Sequence, residues 1–194
     1  MISAILLAAG ESKRMGKLKQ LTPFGRSTIL EETVNNLLNS KVSEVIVVLG
    51  ARADEVTEKI ARKPVQTVVN PDYQQGMSTS LIAGLRLIDS KAQAVMFALG
   101  DQPLINSQTI NRLIEEFCNH DKGIAIPVYR GRRGHPVIFA IRYKDELFRL
   151  KGDIGGREII DRYPDDVLEV PVNCEGIYID IDTNKQLLER MKLR

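Results

Sequence analysis

Residues 6–20 read LLAAGESKRMGKLKQ: an apolar run, then Ala8, Ala9 and Gly10, then Ser12, Arg14, Gly16 and three lysines, with Glu11 the one acid. Glycine lets a backbone approach a phosphate closely, and successive N–H groups can point into one concavity. Arg14 offers a planar fork and Lys19 a mobile point charge, both suited to oxyanions. Residues 8–19 therefore read as a cradle for a triphosphate. The two common phosphate signatures are absent. Gly10 and Gly16 have the wrong spacing for a P-loop, Leu18 follows Lys17, and no G-x-G-x-x-G occurs. An ordinary loop with glycine and solvated lysines shares the same local features.

A second chemical feature is ALGDQPLI, residues 98–105, where Asp101 directly follows an apolar strand. A carboxylate facing a triphosphate needs a cation between them, and Mg²⁺, held by one or two carboxylates plus phosphate oxygens, supplies it. Asp101 is the first candidate metal ligand; a helix-capping aspartate is the alternative. In IYIDIDT, residues 177–183, Asp180 and Asp182 would share one face of a strand. Asp182, near the strand end, is the candidate second ligand, although it or Thr183 could cap a following helix. Residues 76–80, Gly-Met-Ser-Thr-Ser, open a helix whose hydroxyls and N–H groups could hold a base edge or a phosphate, or merely cap it. YRGRRGHPVIF (129–139) and KGDIGGREII (151–160) carry Arg, His135, Asp153 and Arg157 on glycine-rich turns that could hold a second, anionic substrate. A solvated hairpin and a capped helix are the plain alternatives.

These residues need a scaffold that brings distant loops together. Apolar, β-branched runs at 2–8, 43–50, 65–70 and 93–100 predict buried strands of a parallel sheet. Amphipathic stretches at 28–40, 53–61, 80–88 and 107–120 predict helices between them, the last capped by Ser107. The second half is less regular: strands at 123–129, 135–141, 167–172 and 176–182, short helices near 143–149 and 155–162, and a closing helix at 184–193. The expected fold is a single α/β domain, a mostly parallel Rossmann-like sheet with right-handed crossovers and an irregular C-terminal half. In such a sheet ligands sit beyond the carboxyl ends of the strands, where the loops after the first and fourth strands both lie.

The chain is 194 residues with a formal net charge of +2, from 27 basic and 25 acidic residues, which argues against a nucleic-acid partner. Trp is absent and aromatics are 5%, so stacking platforms for single strands are sparse. Cys118 and Cys174 stand far apart and outside any CxxC, which suits a reducing compartment rather than a disulfide or zinc framework. The opening apolar run is too short to span a bilayer and has no charged region before it, so a cytoplasmic protein without membrane attachment is expected.

In order along the chain, LLAAGESKRMGKLKQL, NPDYQQGMSTSL, ALGDQPLI, GRRGHPVIF, GDIGGREII and YIDIDT resemble the motifs of MobA-like nucleotidyltransferases, and most resemble the molybdenum cofactor cytidylyltransferase branch. The resemblance spans nearly the whole chain. It implies the nucleotide-diphospho-sugar transferase fold, with residues 1–105 mainly binding NTP and 106–194 mainly binding the acceptor. It implies Mg²⁺ as cofactor, and a reaction of NTP with a molybdopterin-type phosphate that releases pyrophosphate. A molybdenum hydroxylase would receive the product. Leu7, Ala8, Ala9, Gly10, Ser12, Arg14, Gly16 and Lys19 match the triphosphate loop; Asn70, Gly76, Ser78 and Ser80 match the base-binding region. Asp101 matches the metal aspartate. Gln102, Gly134, His135 and Pro136 are assigned with the acceptor, as are Asp153 and Arg157. LAAG rather than LAGG resembles the CTP-using branch more than the GTP-using one. Past Thr183 the chain runs Asn184-Lys185-Gln186, where the family commonly continues Pro-Glu-Asp.

Overall fold

The computed structural model describes residues 1–11, 18–153 and 155–180. In chain order the strands are β1 (Ile2–Ala8), β2 (Pro23–Phe24), β3 (Ser27–Thr28), β4 (Glu44–Leu49), β5 (Gln66–Val69), β6 (Ala94–Leu99), β7 (Ile124–Tyr129), β8 (Arg132–Arg133), β9 (Val137–Ala140) and β10 (Val167–Pro171). The helices are α1 (Ile29–Leu38), α2 (Ala53–Ile60), α3 (Met77–Leu85), α4 (Ser107–Asn119), α5 (Lys144–Phe148) and α6 (Arg157–Arg162).

The main sheet has the order β10-β7-β9-β6-β1-β4-β5, with β8 paired to β7. β5, β4, β1 and β6 are mutually parallel, as are β7 and β10; β9 is antiparallel to both β6 and β7. Both faces are covered. Ala4 and Leu6 of β1 join α1, α2 and α4 in one core, whereas Ile5 joins α3, α5 and α6 in the other. That explains why β1 reads as an unbroken apolar run rather than an alternating one. No described helix is long and apolar enough to cross a membrane.

Local chemistry sets the helix starts. Thr28 and Glu31 form a reciprocal capping box on α1, with Glu31 N–H donating to Thr28 Oγ1 at 3.2 Å and Thr28 N–H to Glu31 Oε2 at 2.9 Å. α4 is capped not by Ser107, as expected, but by Asn106, whose Oδ1 accepts from Thr109 N–H at 2.9 Å. Ser107 is the first helical residue. The helix expected at 80–88 begins earlier, after Gly76.

Two further expectations are corrected. The segment 176–182 is not a strand through Tyr178: Glu175–Tyr178 is a 3₁₀ turn, with Gly176 packed on Leu104. The connection RGRRG is not simply a turn. Arg130 and Gly131, at φ 49° and 77°, form the tight turn, and Arg132–Arg133 pair back on β7. The helix expected at 184–193 lies outside the described residues.

Candidate active site

β1 lies between β4 and β6. The chain winds from β1 through β4 to β5, then returns across β1 to β6. The strand order therefore reverses between β1 and β6, and the loops leaving their carboxyl ends diverge into a crevice. The two ends are tied by Gly100 N–H, which donates to Leu7 O at 2.9 Å.

Lys19 and Asp101 meet in this crevice. Lys19 Nζ donates to Asp101 Oδ2 at 2.5 Å, with the side chains 17% and 19% exposed. Lys19 opens a 3₁₀ turn, Lys19–Leu21, which is seated by the buried Leu18. Asp101 therefore pairs with a cation supplied by the first loop. The helix after it has its own cap in Asn106.

Sequence reasoning missed Gln20. Its side chain is buried, and Nε2 donates to Ala8 O at 3.1 Å and Gly10 O at 2.9 Å, so one amide staples the backbone of the first loop. The signal was a polar residue set between Leu18 and Leu21. Glu11 is held from outside, accepting from Tyr73 OH at 2.9 Å and Gln74 Nε2 at 2.6 Å. Ala9 is buried and its carbonyl accepts from Ala51 N–H, while Gly10 is exposed with open space where a Cβ would stand. Ser12, Arg14 and Gly16 lie outside the described residues.

Asn70, Ser78 and Ser80 are all buried at the start of α3. Asn70 Nδ2 donates to Thr79 Oγ1 and Ser80 Oγ at 2.8 and 2.9 Å, and its Oδ1 accepts from Asp72 N–H. The amide thus shapes the loop that leads into α3. Gly76, at φ 115°, abuts Gly152: a Cβ there would sit 2.5 Å from Gly152 O. Asp153 reaches the same helix end, its Oδ1 accepting from Met77 N–H at 2.9 Å. A residue 76 positions away thereby occupies one of the free N–H groups of α3.

A cavity of about 520 Å³ opens at Gln102, the residue after Asp101. Leu7, Leu81, Phe97, Leu99 and Ile126 form part of its apolar wall; Gln102, Gly134, His135, Arg157 and Asp180 also line it. It draws residues from both halves of the chain. The His135–Pro136 peptide is cis, Pro136 is buried, and His135 N–H donates to Ile177 O at 2.7 Å. Burial holds the His135 imidazole below its ordinary value, while the nearby Asp101 charge pulls the other way. The ring is therefore neutral at pH 7.

Among the described residues no cluster of three or more His, Cys, Asp or Glu could hold a metal. Asp101 fits the usual Mg²⁺ pattern nonetheless, since that ion takes few carboxylates and fills its shell with phosphate oxygens and water. Asp182 lies outside the described residues.

A three-layer α/β sheet whose first loop meets an aspartate across the switch point is the architecture of nucleotidyltransferases of the nucleotide-sugar transferase fold. The chain belongs to the MobA-like NTP transferase domain family, whose profile matches residues 4–167. It is 31% identical to the nicotine blue oxidoreductase of Paenarthrobacter nicotinovorans, over 96% of this chain and 94% of that one. It is 33% identical to the molybdenum cofactor cytidylyltransferase of Escherichia coli K12, over 71% and 69% respectively. The crystal structure of Rv0371c from Mycobacterium tuberculosis H37Rv aligns with a TM-score of 0.87 at 30% identity, covering 100% of this chain and 97% of that one. A manganese complex of the same protein aligns with a TM-score of 0.83 at 27% identity, covering 100% and 98%.

Proposed function

We propose that the protein transfers CMP from CTP to the phosphate of molybdopterin, with Mg²⁺, and releases pyrophosphate. The observation that carries this reading is the Lys19–Asp101 pair, closed at 2.5 Å between the loops that follow β1 and β6. An oxygen of the acceptor phosphate forms the new bond to the α-phosphorus of CTP. The bond from that phosphorus to the bridging oxygen breaks, and pyrophosphate leaves in line. The nucleophile is already anionic at pH 7, so no general base is needed. Catalysis is positioning plus charge neutralisation. Asp101 would hold Mg²⁺, which when bound would supply charge neutralisation at the phosphates; Lys19 and Arg14 hold the charge that builds on the leaving group.

In this reading Leu7–Gly10, Ser12 and Gly16 line the triphosphate, and Asn70, Gly76, Ser78 and Ser80 shape the base pocket. Gln102, Gly134, His135, Pro136, Asp153 and Arg157 serve the acceptor side, and Asp182 is the second metal carboxylate. The neutral His135 orients the acceptor rather than taking a proton. CTP is favoured over GTP by Ala9 in LAAG and by the Escherichia coli relative. The manganese complex of Rv0371c supports a divalent cation. The reaction belongs in the cytoplasm, with a molybdenum hydroxylase downstream and neither nucleic acid nor membrane involved. Pyrophosphate release with Mg²⁺ and each of CTP, GTP, ATP and UTP, with and without molybdenum-loaded molybdopterin, tests it. Release with CTP only when the pterin is present is expected; release with GTP instead would overturn the base assignment.

The near full-length match to nicotine blue oxidoreductase favours a second reading, in which the same cavity serves an oxidoreductase reaction on nicotine blue. Reduction of nicotine blue by a reduced nicotinamide dinucleotide, with no pyrophosphate release from any NTP, would replace the first reading with this one.

A further inference from the structure

The strand order of the main sheet ends at β10 and β5, and the two edges differ. β10 carries Glu169, which accepts from Arg133 Nε at 2.7 Å, and it ends at Pro171, whose carbonyl accepts from Arg112 Nε at 2.8 Å. A charge, a proline and a side chain bound to the edge carbonyl all discourage pairing with another strand. β5 has none of these. It lies within residues 64–71, PVQTVVNP, a run without charge in a chain whose residues are 27% charged. Gln66, Thr67 and Val69 are exposed. Val69, at 54%, is the most exposed large apolar side chain among the described residues.

The register shows which backbone groups this edge offers. Asn70 N–H donates to Leu49 O at 2.7 Å, so Asn70 faces β4. Backbone groups alternate along a strand, which turns those of Val68 and Gln66 to β4 as well. The N–H and C=O of Thr67 and Val69 therefore point away from the sheet. The flanks of the strand differ in charge: Arg62 and Lys63 precede it and Asp72 follows it, with Arg62 and Asp72 exposed. An antiparallel neighbour of the same sequence sets the basic end of each strand beside the acidic end of the other. A parallel one would set like charges together. We propose that β5 is an interface for a second copy of this chain, paired antiparallel about a two-fold axis at Val68. Thr67 stands opposite Val69 of the partner subunit and exchanges both backbone hydrogen bonds with it, and the axis repeats the exchange. The same pairing sets β-branched side chains against each other across the strands. The main sheet then runs unbroken through both copies. Because β5 leads directly into Asn70, the loop entering α3 in each copy is tied to that shared sheet. The pairing is independent of which reaction the cavity serves.

Sedimentation equilibrium of the full chain, from micromolar to near-millimolar concentration, tests this. Wild type should pass from the mass of one chain to twice that mass. Thr67→Pro removes an N–H that points outward and none that faces β4. It should raise the dimer dissociation constant by about tenfold or more, since a ladder bond is lost on each side of the axis. The melting temperature of the dilute protein should stay nearly unchanged. Val69→Lys puts a cation on the edge without altering the backbone and should weaken the dimer in the same way. Arg62→Glu should weaken it by a smaller factor, roughly twofold to fivefold, as an exposed charge pair does. Amide exchange at Thr67 and Val69 should slow as the dimer forms. Wild type that stays monomeric at every concentration overturns the proposal and leaves the edge to solvent or to an unlike partner. So does a dimer that forms equally well in Thr67→Pro and Val69→Lys, which would place the contact on another face.

Discussion

Lys19 Nζ lies 2.5 Å from Asp101 Oδ2, joining two loops 82 residues apart in sequence across the reversal of the sheet. Both side chains are mostly covered, yet neither is sealed from water. A pair of this kind contributes about 1 kcal/mol or less to folding. In the proposed transfer its worth lies in placing a carboxylate and an ammonium where a triphosphate and its cation would meet. Asp101→Asn should therefore abolish pyrophosphate release while the melting temperature falls by no more than roughly 2–4 °C. A normal rate of release from that variant would remove Asp101 from the metal site.

Lys19 makes a different prediction. Until a cation arrives, its ammonium neutralises Asp101, so the two cations compete for one carboxylate. Lys19→Met should tighten Mg²⁺ binding in the absence of nucleotide, read by isothermal titration. The same variant should lose roughly 10²–10³-fold in kcat, as expected when one stabilising donor is removed from a developing charge. Unchanged Mg²⁺ affinity together with unchanged kcat would show the pair to be purely structural.

Gln20 holds the first loop by a buried amide on Ala8 O and Gly10 O. Gln20→Leu keeps the volume and leaves both carbonyls without that donor. The expected cost is about 1–3 kcal/mol in chemical denaturation, since buried acceptors are left unpaired. Because the stapled backbone forms the proposed cradle, KM for CTP should rise more than kcat falls. A stable variant with unaltered KM would show that the loop holds its shape without Gln20.

Much of this arrangement is visible in the sequence because it depends on strand order. Apolar runs such as Ile2–Ala8 and Ala94–Leu99 are legible as buried parallel strands, and the loops after them must share an edge. That is why Lys19 and Asp101 can be linked before any distance is known. What escapes is set by contacts distant in sequence. The alternation of Ile177, Tyr178 and Ile179 suggests a strand, but Gly176 lies so close to Leu104 that a Cβ would stand 2.8 Å from Leu104 Cβ, and the chain turns there instead. Asp153 capping α3 across 76 residues leaves no local trace. Gln102 sits in a legible motif, but its bond to Asp180 depends on the bend at 175–178.

His135 gives the site a pH signature. Its folded pKa lies below the ordinary 6.5, chiefly through burial. Between the folded value and about 6.5, the unfolded chain binds more protons than the folded one, so stability rises with pH there. This contribution is fully present above about 6.5 and is lost as pH falls through the window. Denaturation of wild type from neutral into mildly acidic buffer should show the decline, and His135→Gln should flatten it. An identical slope in both proteins would assign the acid sensitivity to other groups.

Two glycines separate binding from folding. At Gly134 a Cβ would lie 2.2 Å from Ile177 O and 2.6 Å from Ile177 C, backbone atoms that cannot swing aside. His135 N–H donates to that same carbonyl at 2.7 Å. Gly134→Ala must therefore push the 175–178 turn away and distort the cavity wall. A loss of about 1–3 kcal/mol in stability is expected, with weaker pterin binding and CTP affinity retained. At Gly10 nothing stands within 4 Å of a Cβ, and φ is not in the left-handed region, so alanine should fold as well as glycine. If the loop backbone approaches the triphosphate, that methyl group takes the space the phosphates need, and CTP affinity should fall with the melting temperature unchanged. Measuring both constants on both variants gives a crossed pattern. Loss of CTP binding in Gly134→Ala but not in Gly10→Ala would reverse the assignment of the two pockets.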